Sequence, residues 1–212
     1  MSEPIALVFD LDGTLIDSAP EIHAAANKVF SAKGLAPFPF QTVKGFIGNG
    51  VGVLVARLLD RAGLEDAGAL HAEMVRDFIK TYEEAHDLTT LYPDVADVLT
   101  QLRDAGHPMG ICTNKPEAPA RVVLRHFKLE PFFKVVIGGD SLPERKPDPA
   151  PLWAAMAALE TSRTFFVGDS EVDAETARAA EVPFALFTGG YRKAPADSLG
   201  ARRIGAIAWD IS

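Results

Sequence analysis

Ile5-Ala6-Leu7-Val8-Phe9, running straight into Asp10-Leu11-Asp12-Gly13-Thr14, is the stretch that decides how the rest of the chain is read. Five consecutive apolar residues are too few to cross a membrane, and before a turn signal such as Asp12-Gly13 they read as a strand buried on both faces. Short β-prone runs of the same kind recur from Met109 to Cys112, Val135 to Ile137, Thr164 to Val167 and Phe184 to Phe187. Helical segments lie between the later ones, from Val95 to Ala105, Ala118 to Phe127, Pro151 to Leu159 and Val172 to Ala180. Gly106 and Pro183 stand just past two of them, where helices stop. Strands alternating with helices predict an α/β fold, a parallel sheet with helices on both faces.

The first two strands are too far apart for a simple crossover. Roughly a hundred residues separate Phe9 from Met109, where a dozen or more suffice. Ser18 to Glu21 has the spacing of a capping box, with Pro20 in the first turn, opening a helix that runs to about Lys33. A second helix is expected from about Val51 to Ala62. A third, from about Ala69 to Glu84, sets Leu70, Met74, Phe78, Ile79 and Tyr82 on one side. Residues 16–87 are therefore expected to form a small helical subdomain inserted into a core made of residues 1–15 and 88–212.

The composition narrows the classes of function. There are 21 Lys+Arg against 29 Asp+Glu, a net charge of −8. That balance argues against a nucleic-acid partner, which would require many phosphates to be neutralised. Met1 to Pro4 carries no positive leader and no long apolar segment follows, so neither a signal peptide nor a membrane partner is expected. The single cysteine, Cys112, forbids a disulfide framework within the chain. It reads as a small buried hydrophobe in a cytoplasmic protein, either monomer or homodimer. The five histidines lack paired metal-ligand spacing, which argues against zinc. Trp153 and Trp209 lie outside every motif and read as packing residues.

In an open parallel sheet the ligand crevice lies beyond the carboxyl ends of the strands. Four such ends carry suitable polar residues: Asp10-Leu11-Asp12-Gly13-Thr14, Thr113-Asn114-Lys115, Arg145-Lys146-Pro147-Asp148-Pro149, and Gly168-Asp169-Ser170-Glu171-Val172-Asp173. Each alone has a plain explanation. Asp12-Gly13 is a common turn, while Asn114 with Glu117 and Ser170 with Asp173 have N-cap spacing. Turns and caps do not, however, require all four together. If Asp10 and Asp169 converge, two carboxylates about 4 Å apart repel by on the order of 4 kcal/mol at an effective dielectric near 20. A divalent cation reverses that sign, and oxygen ligands with few protein groups favour Mg²⁺. Lys146, the Thr113 hydroxyl and backbone amides near Gly13 would then cradle a phosphate.

These four motifs, in this order from Ile5 to Arg192, resemble those of the haloacid dehalogenase superfamily of Mg²⁺-dependent phosphatases, in particular its phosphoglycolate phosphatase branch. The resemblance implies a Rossmann-like α/β core with the helical insertion as its cap. It implies a nucleophile at Asp10, a general acid/base at Asp12, a phosphate-binding hydroxyl at Thr113 and the family lysine at Lys146, with Gly13 and Asn114 beside the substrate. Mg²⁺ is implied at Asp10, the Asp12 carbonyl and Asp169, supported by Asp173. A carboxyl at Asp12 suits an alcohol leaving phosphorus, which needs a proton, and a departing halide does not. In the insertion, Val43-Lys44-Gly45-Phe46-Ile47-Gly48-Asn49-Gly50-Val51 resembles the corresponding cap segment, making Lys44 and Asn49 substrate-binding candidates, Lys44 for a carboxylate. The expected partner is a small anionic phosphate ester. A phosphomutase, a pyrophosphatase, a broad sugar-phosphate phosphatase, a receiver-like signalling module and a non-catalytic Mg²⁺- and phosphate-binding regulator stand as alternatives.

Overall fold

The computed structural model describes residues 4–64, 68–83, 87–161, 163–200 and 202–204. In chain order its elements are β1 (Ala6–Phe9), β2 (Ile16–Asp17), α1 (Ala19–Ala32), α2 (Phe40–Lys44), α3 (Val51–Arg61), α4 (Gly68–Glu83), β3 (Thr90–Leu91), α5 (Val95–Asp104), β4 (Met109–Cys112), α6 (Glu117–His126), β5 (Val135–Ile137), α7 (Ala150–Leu159), β6 (Thr164–Gly168), α8 (Glu171–Ala179), β7 (Phe184–Phe187) and β8 (Arg202–Ile204).

Six strands form one parallel sheet in the order β5-β4-β1-β6-β7-β8. β1 is apolar throughout because both its faces are covered, and successive side chains serve opposite layers. Leu7 and Phe9 join Leu99, Ile111 and Val123 on one face. Ala6 and Val8 join Leu152 and Phe166 on the other, with Cys112, whose thiol burial pushes up to about 12. The cysteine is thus an inert packing group, as its surroundings in the sequence suggest.

Phe9 lies level with Ile111 on β4 and Val167 on β6, so Asp10, Thr113 and Asp169 all leave the sheet at the same edge. The connections also change direction at β1, opening the crevice where doubly wound sheets bind ligands.

The helices α1, α3 and α4 arise where the apolar period is longest. They close around a separate apolar cluster of Ile22, Val29, Phe30, Leu58, Met74 and Phe78. Two features of the insertion leave no periodic signal: the five-residue α2, and the two-residue antiparallel ladder Ile16↔Leu91 and Asp17↔Thr90 that ties its ends together.

The capping box expected at Ser18 does not form. The N–H groups of Ser18 and Ala19 donate instead to the Tyr191 hydroxyl at 2.8 and 3.0 Å, which frees the Ser18 hydroxyl for Asp12. Glu21 accepts a hydrogen bond from Leu88 N at 2.7 Å rather than closing back on its own helix. Trp153 is also corrected: it is 52% exposed on α7 and packs little. Trp209 lies outside the described residues. Among the described residues no helix is long and apolar enough to cross a membrane.

Candidate active site

Asp10, Lys146, Asp169 and Asp173 are all buried at the carboxyl edge of the sheet. The Lys146 ammonium stands 2.6 Å from Asp173 Oδ1 and 3.0 Å from Asp10 Oδ1. Asp169 accepts a hydrogen bond from the Thr14 hydroxyl at 3.0 Å and another from Tyr191 N at 2.6 Å. Asp173 turns its second oxygen to Ser170, accepting from the backbone N at 3.0 Å and the hydroxyl at 2.6 Å, so the expected Ser170–Asp173 cap is present. The aspartate that caps α8 therefore also steers the lysine.

One lysine does not balance three carboxylates. Burial pushes the Asp10 carboxyl up to about 6; Lys146 opposes the rise, and Asp173 and Asp12 add to it. Burial likewise holds Asp169 well above the usual carboxylate range, with Asp173 and Asp10 contributing. Burial alone would lower Lys146, but Asp10 and Asp173 hold its proton more tightly than in water. One oxygen from each of Asp10, Asp169 and Asp173 lies within 4.8 Å of the others. Asp10 Oδ1 is shut off from solvent and, among the described residues, meets the Lys146 ammonium as an ion pair without the geometry of a hydrogen bond. A hard divalent cation matches such a set of anionic oxygens, and neutral or soft-metal chemistry does not.

Asp12 lies beside this cluster, its carboxylate fixed by the Ser18 hydroxyl at 2.6 Å and the Lys115 ammonium at 2.9 Å. A cavity of about 60 Å³ opens over Asp10, Asp12 and Thr113, walled on the far side by Ile22, Ile47, Val51, Leu54 and Phe78 from the insertion. Asn114 lines it too, yet not as the helix cap its spacing with Glu117 suggests. Its amide donates to the carbonyls of Gly48 and Lys146, both at 3.0 Å, while Asp140 takes over the cap by accepting from Glu117 N. Asn114 thus fastens the lysine loop and the insertion to the end of β4.

The glycine-rich cap segment reaches the cavity through Ile47, Gly48 and Gly50, but neither Lys44 nor Asn49 lines it. Lys44 ends the unforeseen α2, and its ammonium lies over the Tyr191 ring, 5.2 Å from the centroid.

A family model described as haloacid dehalogenase-like hydrolase matches residues 7–187. The chain belongs to the haloacid dehalogenase-like hydrolases. It is 50% identical over 194 residues to a phosphoglycolate phosphatase of Cereibacter sphaeroides, covering 91% of this chain and 89% of that one. It is 46% identical to a phosphoglycolate phosphatase of Rhodobacter capsulatus, covering 92% and 89%. A crystal structure of a predicted phosphoglycolate phosphatase from Haemophilus somnus superimposes with a TM-score of 0.89 at 30% identity, covering 97% of this chain and 95% of that one.

For a haloacid dehalogenase-like hydrolase the glycines around Asp169 are as informative as the acids. Gly13 has φ +90°, and a Cβ there would lie 2.5 Å from Asp169 Oδ2; one at Gly190 would overlap the same carboxylate. Gly13→Ala is expected to lower kcat by about 100-fold through displacement of Asp169, with weaker metal binding and little loss of helix content. Steady-state kinetics with a metal titration checks this, and an unchanged metal affinity would exclude the mechanism.

Four residues around the site have no part in it by their spacing in the sequence: Ser18 reads there as a helix cap, Tyr82 as one side of a helix, Lys115 as part of a motif without a role of its own, and Tyr191 reaches the site from a distant segment. In the Gly189-Gly190-Tyr191-Arg192 loop beyond β7, Tyr191 links Asp169, through the backbone, to Asp17, Ser18 and Ala19 at the entry to the insertion, through the hydroxyl.

Proposed function

We propose that the chain is a Mg²⁺-dependent phosphomonoesterase acting on a small organic phosphate, 2-phosphoglycolate foremost, through an aspartyl-phosphate on Asp10. The observation that carries this reading is the buried Asp10 carboxylate, held by Lys146 and grouped with Asp169 and Asp173, at the floor of a small cavity closed by the insertion. The names of the curated relatives support the substrate.

In this reading an oxygen of Asp10 attacks phosphorus in line, and the ester bond breaks on the opposite side. Asp12, oriented by Ser18 and Lys115, gives its proton to the leaving oxygen; it then takes one from the water that attacks the aspartyl-phosphate, releasing inorganic phosphate and restoring Asp10. Lys146 and Thr113 hold the phosphoryl oxygens. Bound at Asp10, Asp169 and the Asp12 carbonyl, with Asp173 behind, Mg²⁺ supplies positive charge that lets carboxylate and phosphate approach. The insertion serves as a cap that excludes bulk water.

Phosphate release from 2-phosphoglycolate is expected to fall at least about 100-fold with a chelator and to return with Mg²⁺. Activity indifferent to chelation removes the metal from the reading. Transfer of phosphate to a sugar without release of inorganic phosphate would favour a phosphomutase instead. Without metal, the raised Asp10 pKa means that the folded state binds the extra proton. Its stabilising contribution is complete below about pH 4 and is lost as pH rises through 6. The rise in Tm caused by Mg²⁺ is therefore expected to grow from pH 5 to pH 7.5, and a constant rise would sever the link between that carboxylate and the metal.

A further inference from the structure

Lys115 is a buried cation whose one part in the chemistry above is to orient Asp12, and it holds neither the phosphoryl group nor a transferred proton. We propose that Lys115 recognises the carboxylate of the substrate, and so selects phosphate esters that carry an acid on the carbon next to the ester oxygen. The proposal rests on the phosphomonoesterase reading above, with Asp12 as the acid.

Three observations lead to it. Among the described residues Lys115 is the one cationic side chain lining the cavity, and the walls opposite it are apolar. An anionic group entering such a space cannot be left without a counter-charge. The other lysines near the site are engaged: Lys146 between Asp10 and Asp173, Lys44 on the Tyr191 ring outside the lining.

The second observation is the distance to Asp12, whose oxygens lie 2.9 and 3.2 Å from the Lys115 ammonium. Asp12 must touch the ester oxygen to protonate it. In an ester such as 2-phosphoglycolate that oxygen is bonded to the carbon that bears the carboxylate. A cation already in contact with Asp12 therefore stands within a hydrogen bond of where the carboxylate lies. An ammonium has three donors, so with one on Asp12 and one on the Tyr82 hydroxyl it has a third to donate to the substrate.

The third is how the ammonium is held from the other side. It donates to the Tyr82 hydroxyl at 2.6 Å and lies 4.0 Å from the Tyr82 ring centroid. Tyr82 belongs to α4 of the insertion and stacks on Phe78. The reading group is thus fixed by both parts of the molecule, and its position depends on the insertion being seated over the core.

The test compares kcat/KM for 2-phosphoglycolate with that for 2-hydroxyethyl phosphate, a neutral ester of similar size. The wild type is expected to prefer the acid, and in Lys115→Met the preference falls about 30-fold or more, the worth of a charged hydrogen bond. Lys115→Arg retains most of the preference, and Lys44→Met retains it fully. Should Lys115→Met fail to fold, by circular dichroism and thermal melting, Lys115→Gln carries the same expectation, since it is neutral yet still able to bond Asp12. A folded Lys115→Met or Lys115→Gln that keeps the preference overturns the proposal and leaves the phosphatase reading standing, as does a loss of preference in Lys44→Met alone. A wild type that cleaves both esters equally also overturns it. A wild type that releases phosphate from no monoester fails the phosphatase reading itself, and the proposal falls with it.

Discussion

Asp10→Asn is expected to lose phosphate release by at least about 10⁴-fold while the fold stays intact, because an amide cannot attack phosphorus and leave a hydrolysable anhydride. The electrostatics of the site sharpen the expectation. In the metal-free protein Asp10 is one of three buried carboxylates sharing one ammonium, and its own pKa is pushed up to about 6. Removing that charge relieves repulsion at neutral pH. The variant should melt no lower than the wild type without metal and gain less from Mg²⁺. Loss of activity accompanied by a large fall in metal-free Tm would instead mean that Asp10 serves as structural support. Mass spectrometry after acid quench should find a phosphoryl adduct on Asp10 in the wild type and none in the variant. Residual turnover near the wild-type rate would place the nucleophile elsewhere.

Five strands of the sheet were legible because buried parallel strands leave nearly uninterrupted apolar runs, and β8, three residues that begin with two arginines, leaves no such run. β4, β5 and β7 lie where those runs do, and β1 and β6 differ from them by a single residue at one end. The acids and the lysine were legible for a related reason. Residues directly after such strands or in the loops beyond must converge at one edge, whatever lies between them in the chain. What stayed hidden was the use of side chains whose partners are far away in sequence. Ser18 with Glu21 has every local mark of a capping box, yet Tyr191, from the far end of the chain, accepts the Ser18 N–H that the Glu21 side chain would have taken. Asn114 with Glu117 repeats the lesson, because the carbonyls of Gly48 and Lys146 compete successfully for the amide that a local cap would have used. Lys44 stood out as a cation among glycines. Only the folding of α2 carries it onto the Tyr191 ring, away from the cavity that Lys115 enters.

Lys146→Met should lower the metal-free Tm by about 10 °C at pH 7.5, in addition to suppressing turnover by about 10³-fold or more. Only 4% of Lys146 is exposed, and its ammonium is the positive charge within 3.0 Å of both Asp10 and Asp173. Breaking a buried pair by removing one partner costs about 3–5 kcal/mol, since the remaining charges stay in a medium that solvates them poorly. In a chain of this length each kcal/mol corresponds to roughly 2–4 °C. The deficit should depend on pH in a definite direction. Without the lysine Asp10 and Asp169 favour their protonated forms still more strongly in the folded state, so the folded protein binds more protons than the unfolded chain, and stability falls as pH rises from 5 to 7.5. The variant should therefore approach the wild type near pH 5 and diverge from it above. Mg²⁺ offers a second route to the same charge balance and should restore part of the lost Tm at pH 7.5 without restoring turnover, because Lys146 also has to hold the transferring phosphoryl group. Melting curves at the two pH values, with and without Mg²⁺, separate these contributions. An unchanged metal-free Tm at pH 7.5 would mean that the three aspartates do not share a common charge problem, and the case for a cation among them would lose its physical basis.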